Sequence, residues 1–183
     1  MKKLHQMTQQ KEDSDHIHAR EELLRVGGIW SILHAMNLGQ SDEAVQENGC
    51  AILADLTFKC SENKKAVIEL DGVATLADAM KRFPDNDILQ ANACIAFQNL
   101  AHCTTVRFSE QVIVLILEAM KNHKHDEFIQ KAAMWFLRNV VEQSRKSKGR
   151  IVKHDGLKTV KAGLKSHQEL QELGRSLLKE LTS

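Results

Sequence analysis

Two stretches of the sequence, GIWSILHAM at residues 28–36 and GVATLADAM at residues 72–80, match each other at a spacing of 44 residues. Ten residues after each closing methionine begins a second matched pair, QENGCAILADL at 46–56 and QANACIAFQNL at 90–100. A repeat period of about 40 to 47 residues is typical of helical repeat proteins. Because one such unit cannot bury its apolar face alone, we expect the units to stack into an α-solenoid.

The composition agrees with a helical protein. Hydrophobic residues make up 43% of the 183 residues, charged residues 27% and aromatic residues only 4%, with one proline and no tyrosine. Strand-favouring residues are therefore scarce, and the predicted fold class is all-α. A net charge of +1 gives no overall attraction to nucleic acid or to a membrane surface.

No targeting or membrane-spanning segment is visible in the sequence. The basic residues near Met1 are not followed by an apolar run, and the apolar run at 112–117 is far shorter than a membrane span. We therefore expect a cytoplasmic or nuclear location. Cys50 and Cys94 hold equivalent positions inside apolar stretches, so we predict small core residues rather than disulfides.

Each repeat is predicted to contain three helices. Repeat two shows them most fully, at 62–70, 73–82 and 88–103. Gly72 is expected to adopt the left-handed conformation between the first two helices, and Pro84 to end the second.

The other copies follow the same plan with local differences. Repeat one has helices at 18–26, 29–38 and 43–58, with Ser41 or Asp42 as a cap. Repeat three keeps its second and third helices at 112–122 and 127–143, but its first is expected to be shortened. The predicted boundaries are a polar lead-in or remnant of an earlier repeat at 1–16 and repeats at 17–60, 61–103, 104–144 and 145–183, the last ending in a polar cap.

These motifs resemble the armadillo family. The resemblance rests on the glycine-led second helices GGIWSILHAM and DGVATLADAM, the third helices VQENGCAILADL and LQANACIAFQNL, and the first-helix form NKKAVIELDGV, and it covers about residues 17 to 182. HEAT repeats share the period but carry an Asp/Arg signature that is absent here. Within the family, the sequence is similar to armadillo segments found near leucine-rich repeat kinases.

The resemblance implies a right-handed superhelix whose third helices line a concave groove for an extended peptide or a partner helix. In the family, an Asn late in the third helix holds the ligand backbone and a Trp four residues earlier stacks on ligand side chains. The Asn positions here are Asp55, Asn99, Asn139 and Glu180, and the Trp positions are Ala51, Ile95, Trp135 and Ser176. Only repeat three has both, which argues against a nuclear import receptor.

The residues themselves also indicate a polar groove. Asn48 and Asn92 lie seven residues before Asp55 and Asn99, on the same helix face, and an amide can pair with a peptide backbone without demanding a sequence. The predicted partner-binding residues are Asn48, Asp55, Asn92, Ile95, Asn99, Trp135, Arg138 and Asn139. Two alternatives stay open: Trp135 in the core, and Asn99 and Asn139 bonded to backbone carbonyls of a neighbouring repeat. We expect Trp30 to be packed.

Other functions find less support in the sequence. The pairs His16 with His18 and His123 with His125 lack zinc-like spacing, and no phosphate-binding glycine loop or nucleophile motif is present. We therefore predict a monomeric, non-catalytic protein-interaction module without metal or cofactor. One alternative is a structural segment of a longer solenoid, which would expose apolar surface at its end helices.

A second alternative is binding of nucleic acid or an acidic partner through the basic segment 145–165. This segment contains eight basic residues and one acidic residue, although the whole chain is nearly neutral. No aromatic residues are interleaved there, which argues against base stacking. Binding through this segment would depend strongly on salt.

Overall fold

The structure is a computed structural model that describes residues 18, 22–23, 25–103 and 107–183. These residues contain ten helices with defined bounds, one short 3₁₀ helix at Gln168–Leu170, and no strand. The helices are α1 (Gly28–Leu38), α2 (Glu43–Thr57), α3 (Ser61–Glu69), α4 (Gly72–Arg82), α5 (Asp87–Leu100), α6 (Glu110–Asn122), α7 (Glu127–Gln143), α8 (Arg145–Lys153), α9 (Gly156–Ser166) and α10 (Gln171–Thr182). The all-α fold class is confirmed for this part of the chain.

The described helices follow the predicted three-part plan, and the repeat boundaries stay a prediction. The third helices are α2, α5, α7 and α10, and α7 has the predicted bounds. In repeat three, 107–109 are not helical, while 104–106 lie outside the described residues. The predicted lead-in at 1–16 also lies outside them.

The junction between the first and second helices differs from the prediction for Gly72. The left-handed residue is the one before the glycine: Gly27, Asp71 and Asp155 have φ of 76°, 61° and 63°. Gly72 is required for space instead, because a Cβ there would lie 2.5 Å from Cγ1 of Val67. The glycine therefore permits close packing of α3 on α4 rather than an unusual backbone angle.

Side-chain caps begin the third helices of repeats one, two and three. Asp42, one of the two caps that the sequence predicts for repeat one, accepts a hydrogen bond from the backbone N–H of Val45. Asn86 and Asp126 cap α5 and α7 in the same way. Each cap satisfies one backbone donor that has no partner inside its helix, and so fixes where the third helix starts.

The third helices pack side by side along the chain. Contacts run from α2 to α5, from α5 to α7, and from α7 to α10. At the centre, the rings of Phe97, Phe108 and Phe136 form an edge-to-face cluster with centroid separations of 6.1, 5.9 and 4.9 Å. Phe97 and Phe136 are completely buried, so this cluster joins repeats two and three through a continuous apolar core.

A buried glutamine ties the second and third helices of each of the first three repeats together. In repeat two, Nε2 of Gln90 donates to the backbone oxygens of Met80 and Phe83, at 2.8 and 3.0 Å. These carbonyls lie at the end of α4, where helix carbonyls have no partner in the helix. The same pair of bonds is made by Gln46 to Met36 and Gly39, and by Gln130 to Met120 and His123. We call this arrangement the glutamine clasp.

Replacing Gln90 with leucine is expected to lower the free energy of unfolding by about 2 kcal/mol, because it removes two hydrogen bonds and leaves buried carbonyls unpaired. Urea unfolding followed by circular dichroism measures this change. The matched control is Gln98→Leu on the same helix, a half-buried position where we expect a change below about 0.5 kcal/mol. Equal stabilities of the two variants would show that the clasp contributes little.

Polar contacts also join successive repeats. Nδ2 of Asn86 donates to carboxylate oxygens of Glu43 and Glu47, at 2.8 and 2.9 Å, and Arg82 donates to the side chain of Gln40 at 2.8 Å. All three bonds link residues about one repeat period apart. The two Asn86 bonds place the start of α5 against the first turns of α2, and the Arg82 bond joins the end of α4 to the turn before α2.

Candidate protein-interaction surface

One side of the third helices faces solvent and carries a row of equivalent residues. Ala51 on α2, Ile95 on α5, Trp135 on α7 and Ser176 on α10 are each half-buried. They occupy the positions that the resemblance assigns to the ligand-stacking Trp. The row is thus partly accessible in every repeat, and only repeats two and three have large apolar side chains in it. Trp135 is neither a fully buried core residue nor a fully exposed one.

Two apolar residues that were not predicted from the sequence extend this surface. Ile88 and Phe128 are 55% and 69% exposed, and they lie seven residues before Ile95 and Trp135. Seven residues are two helical turns, so each pair lies on the same side of its helix. We call these four residues the apolar row. The seven-residue spacing was visible in the sequence. However, the sequence does not show whether an apolar residue at the start of a helix is buried, because burial depends on which other helices lie against it.

A cleft between α7 and α10 lies at one end of the apolar row. It has a volume of about 450 Å³, and its lining residues are Lys131, Trp135, Arg138, Glu169, Leu170, Glu172, Leu173 and Ser176. The guanidinium carbon of Arg138 lies 5.3 Å from the ring centroid of Trp135, close enough for a cation–π interaction. The Arg138 Nε also lies 3.1 Å from a carboxylate oxygen of Glu142. The cleft therefore combines an apolar ring with charges of both signs.

Asn99 makes a structural contact between repeats. It is buried, and its Nδ2 donates to the backbone oxygen of Ala54 at 3.0 Å and to Oγ1 of Thr57 at 3.3 Å. Both acceptors belong to α2, so the amide joins the third helices of repeats one and two. Hydrogen bonding to a backbone carbonyl of a neighbouring repeat is the alternative role that the sequence left open for Asn99. The Nδ2 donor of Asn99 is thus engaged inside the protein. Contact of Asn99 with a partner stays a prediction.

The other predicted polar residues differ in their surroundings. Asn139 is buried, and its Nδ2 has no hydrogen-bond partner among the described residues. Asn48 is exposed and donates to the backbone oxygen of Ala44 in its own helix, at 2.8 Å. Asp55 is exposed and Asn92 is half-buried. The role of these four residues in binding remains a prediction.

Trp30 is not packed as predicted. It is 56% exposed, and its ring stacks on that of His34 with centroids 4.7 Å apart and planes 11° apart. Its equivalent in repeat two, Ala74, is also exposed. This position therefore faces solvent in both repeats. The prediction that Trp30 is packed rested only on its large apolar side chain.

Part of the basic segment is engaged inside the protein. Arg150 donates to the backbone oxygen of Phe108 at 3.0 Å, and Nζ of Lys153 and Nε2 of His154 lie 2.8 and 2.6 Å from one carboxylate oxygen of Glu110. The hydrogen bonds from Lys153 and His154 lower the pKa of Glu110 to about 2. These contacts fasten α8 to the start of α6, so three groups of this segment have a structural role.

The described residues contain no cluster of three or more His, Cys, Asp or Glu side chains that could hold a metal ion. All four cysteines are free, and burial raises the pKa of the Cys50 thiol to about 12. His123, from one of the histidine pairs, contacts the backbone oxygen of Pro84 at 2.8 Å, while His16 lies outside the described residues. In the part of the chain that is described, no helix combines the length and apolarity that crossing a membrane requires.

Comparison with known families gives a match over most of the chain. The family model described as "Protein zer-1 homolog-like, C-terminal domain" matches residues 31–179. The chain belongs to this zer-1 homolog-like family. It is also similar to Protein aardvark of Dictyostelium discoideum, with 34% identity over 102 residues. That alignment covers 51% of this chain and 13% of the relative, so the chain spans only a small part of the relative's length.

The zer-1 homolog-like match supports an armadillo-type family and is consistent with a role in protein interaction. It corrects the narrower resemblance to armadillo segments near leucine-rich repeat kinases, because the matched model is that of a different protein group. The motifs used for the resemblance reflect how the helices pack, which all armadillo-type repeats share. They therefore do not distinguish one subgroup of the family from another.

Proposed function

We propose that this chain is a non-catalytic protein-interaction module, an armadillo-type right-handed solenoid that binds a partner protein along the groove lined by its third helices. The observation that carries the proposal is the apolar row. Ile88, Ile95, Phe128 and Trp135 are accessible on adjacent helices, although large apolar side chains are normally withdrawn from solvent. The zer-1 homolog-like family match supports a protein partner.

The apolar row indicates how a partner would bind. Trp135 offers a large ring area together with an N–H donor, the combination that is enriched in residues dominating binding energy. Phe128 lies two turns away on the same helix and extends the contact. An extended peptide or a helix with apolar side chains at matching spacing would cover both rings, and its basic or acidic groups would pair with Glu172 or Lys131 at the edge of the cleft.

The amide side chains have a secondary part in this proposal. A buried amide donor without a partner costs about 1 to 3 kcal/mol. A rotation of the Asn139 side chain toward a peptide carbonyl would relieve that cost upon binding. Asn99 would contribute only through its oxygen, since its donor already bonds to α2. Affinity would then come mainly from apolar contact.

The test is a peptide-display selection against the wild-type chain, followed by dissociation constants for the enriched peptides. We expect the Phe128→Ala, Trp135→Ala double variant to bind at least about 30-fold more weakly, the loss expected for removal of a dominant contact. Fluorescence anisotropy of labelled peptides measures the change. Circular dichroism first establishes that both proteins are equally helical.

The matched control is Leu70→Ala, which removes an exposed apolar side chain at the end of α3, away from the third helices. Its affinity should stay within about twofold of the wild type. Unchanged binding by the double variant would refute the apolar row as the binding surface. If affinity instead fell steeply with salt and ignored both rings, the basic segment 145–165 would be the interaction site.

A further inference from the structure

The solvent-facing side of α1 is apolar and uncharged. Trp30 and Leu38 are 56% and 76% exposed, and His34 between them is also exposed. The three residues follow each other at intervals of four, so they lie along one side of the helix. The buried residues of α1, such as Leu33, face the core on the other side. We call Trp30, His34 and Leu38 the α1 stripe.

The equivalent side of each of the other second helices carries charge. The equivalent positions are Ala74, Asp78 and Arg82 on α4, Val114, Glu118 and Asn122 on α6, and Lys158, Ala162 and Ser166 on α9. All of them except the half-buried Val114 are exposed. This side therefore stays open to solvent in repeats two and three, which have a repeat on either side of them. The α1 stripe is thus part of the outer surface of the array and not of an interface between repeats.

Helix α1 has no charged residue at any position. Its sequence, GIWSILHAMNL, lacks Asp, Glu, Lys and Arg, whereas each of the other nine α-helices in the described part of the chain contains at least one of them. Scattered exposed apolar residues are ordinary, but a contiguous uncharged stripe with a tryptophan has the composition of an interface centre. The ring of Trp30 stacks on that of His34, so a neighbour already supports it before any partner binds.

The lack of charge indicates which surface would fit the α1 stripe. Burying a charged group against an apolar surface is costly, so the complementary surface should also lack charge. Among the described α-helices of this chain only α1 meets that condition, and a second copy of the chain presents it to the first. A twofold-symmetric dimer uses the same patch on both chains. Pairing of two stripes would bring no carboxylate, ammonium or guanidinium group into the contact.

The ends of α1 indicate the direction of such pairing. The helix has no acidic residue in its first turn and no basic residue in its last turn, so no charged side chain offsets the partial charges at its ends. An antiparallel arrangement brings the positive end of each helix beside the negative end of the other. With His34 at the twofold axis, Trp30 of one copy lies beside Leu38 of the other.

We propose that the α1 stripe is the contact surface of a homodimer, in which two α1 helices pack antiparallel with Trp30 of each copy against Leu38 of the other. This interaction goes beyond the proposed binding of a partner in the groove. The apolar row lies on α5 and α7, so the dimer does not use the residues that bind that partner. The dimer replaces the sequence-based expectation of a monomer.

The experiment is sedimentation equilibrium of the full chain over a wide range of protein concentration. We expect the wild type to dimerise, and Trp30→Glu and Leu38→Lys each to raise the dimer Kd at least about 30-fold, because each places a charge in an apolar contact. An equimolar mixture of the two variants should associate at least about tenfold more tightly than either variant alone. Antiparallel pairing sets the new carboxylate of one copy against the new ammonium of the other.

The matched control is Val152→Glu, which introduces the same charge at an exposed apolar position on α8. Its dimer Kd should stay within about twofold of the wild type. Circular dichroism establishes that all variants are equally helical.

A wild-type chain that stays monomeric, or a dimer that Trp30→Glu and Leu38→Lys leave as tight as before, would overturn the proposal. A mixture that fails to recover affinity would overturn the antiparallel contact. If the wild type stayed monomeric and Trp30→Glu abolished the binding of a different protein, the stripe would belong to that protein, which would equally overturn the homodimer.

Discussion

Replacing Phe136 with alanine is expected to lower the free energy of unfolding by about 4 kcal/mol, because large-to-small changes at fully buried aromatic positions remove contacts and leave a cavity. Phe136 is completely buried and contacts both other rings of the central cluster, at 5.9 Å from Phe97 and 4.9 Å from Phe108. Its loss would loosen repeats two and three at once. Urea unfolding monitored by circular dichroism measures the change.

Phe128→Ala is the matched control for this variant, because it removes the same side chain from the same helix, two turns earlier. Phe128 is 69% exposed, so its replacement should change the free energy of unfolding by less than about 0.5 kcal/mol. A shallower unfolding slope in Phe136→Ala alone would show that the two halves of the array unfold separately. Similar losses in both variants would contradict the burial that the structure gives Phe136.

Replacing Gly72 with alanine is expected to destabilise the protein by about 2 to 3 kcal/mol, the cost of forcing an extra group into a packed site. The added Cβ would lie 2.5 Å from Cγ1 of Val67 and 2.8 Å from its backbone oxygen. The second contact is with the backbone of α3, so a side-chain rotation cannot relieve it. Helices α3 and α4 would have to move apart. Thermal unfolding reports the effect as a lowered Tm.

At Gly149 the same replacement is expected to have the opposite effect on stability. It lies inside α8, and a Cβ added there meets no atom within 4 Å. Because alanine is a better helix former than glycine, Gly149→Ala should raise the stability by up to about 1 kcal/mol. If Gly72→Ala were as harmless as Gly149→Ala, the close approach of α3 and α4 would not be a constraint on the fold.

The parts of the fold that were predictable from the sequence are those fixed by local patterns. The period of 44 residues, the cap at Asp42 and the bounds of α7 follow from spacing and from residue types that act over one or two helical turns. The Met-to-Gln step of ten residues was also visible, although its cause was not. Only the structure shows that this spacing brings the Gln amide to the last carbonyls of the second helix.

The properties that the sequence did not predict depend on neighbours from other repeats. Trp30 and Phe128 are large and apolar, yet both side chains are more than half exposed. For Asn99 the sequence left two roles open, and the position of α2 determines that its amide bonds to the neighbouring repeat, while contact with a ligand stays a prediction. Asp71, and not Gly72, has the left-handed conformation. Gly72 follows it and is the position where a side chain would collide with Val67 of α3.

The glutamine clasp has a consequence for how such arrays change in evolution. Each clasp closes a loop of only ten residues, from Met36 to Gln46 or from Met80 to Gln90, so it forms without help from any other repeat. A gene segment encoding one period therefore carries its own means of joining two helices. Copying or deleting that segment leaves every remaining clasp intact. Selection has then only to adjust the surfaces between units, which explains why the clasp residues match between repeats while the exposed residues differ.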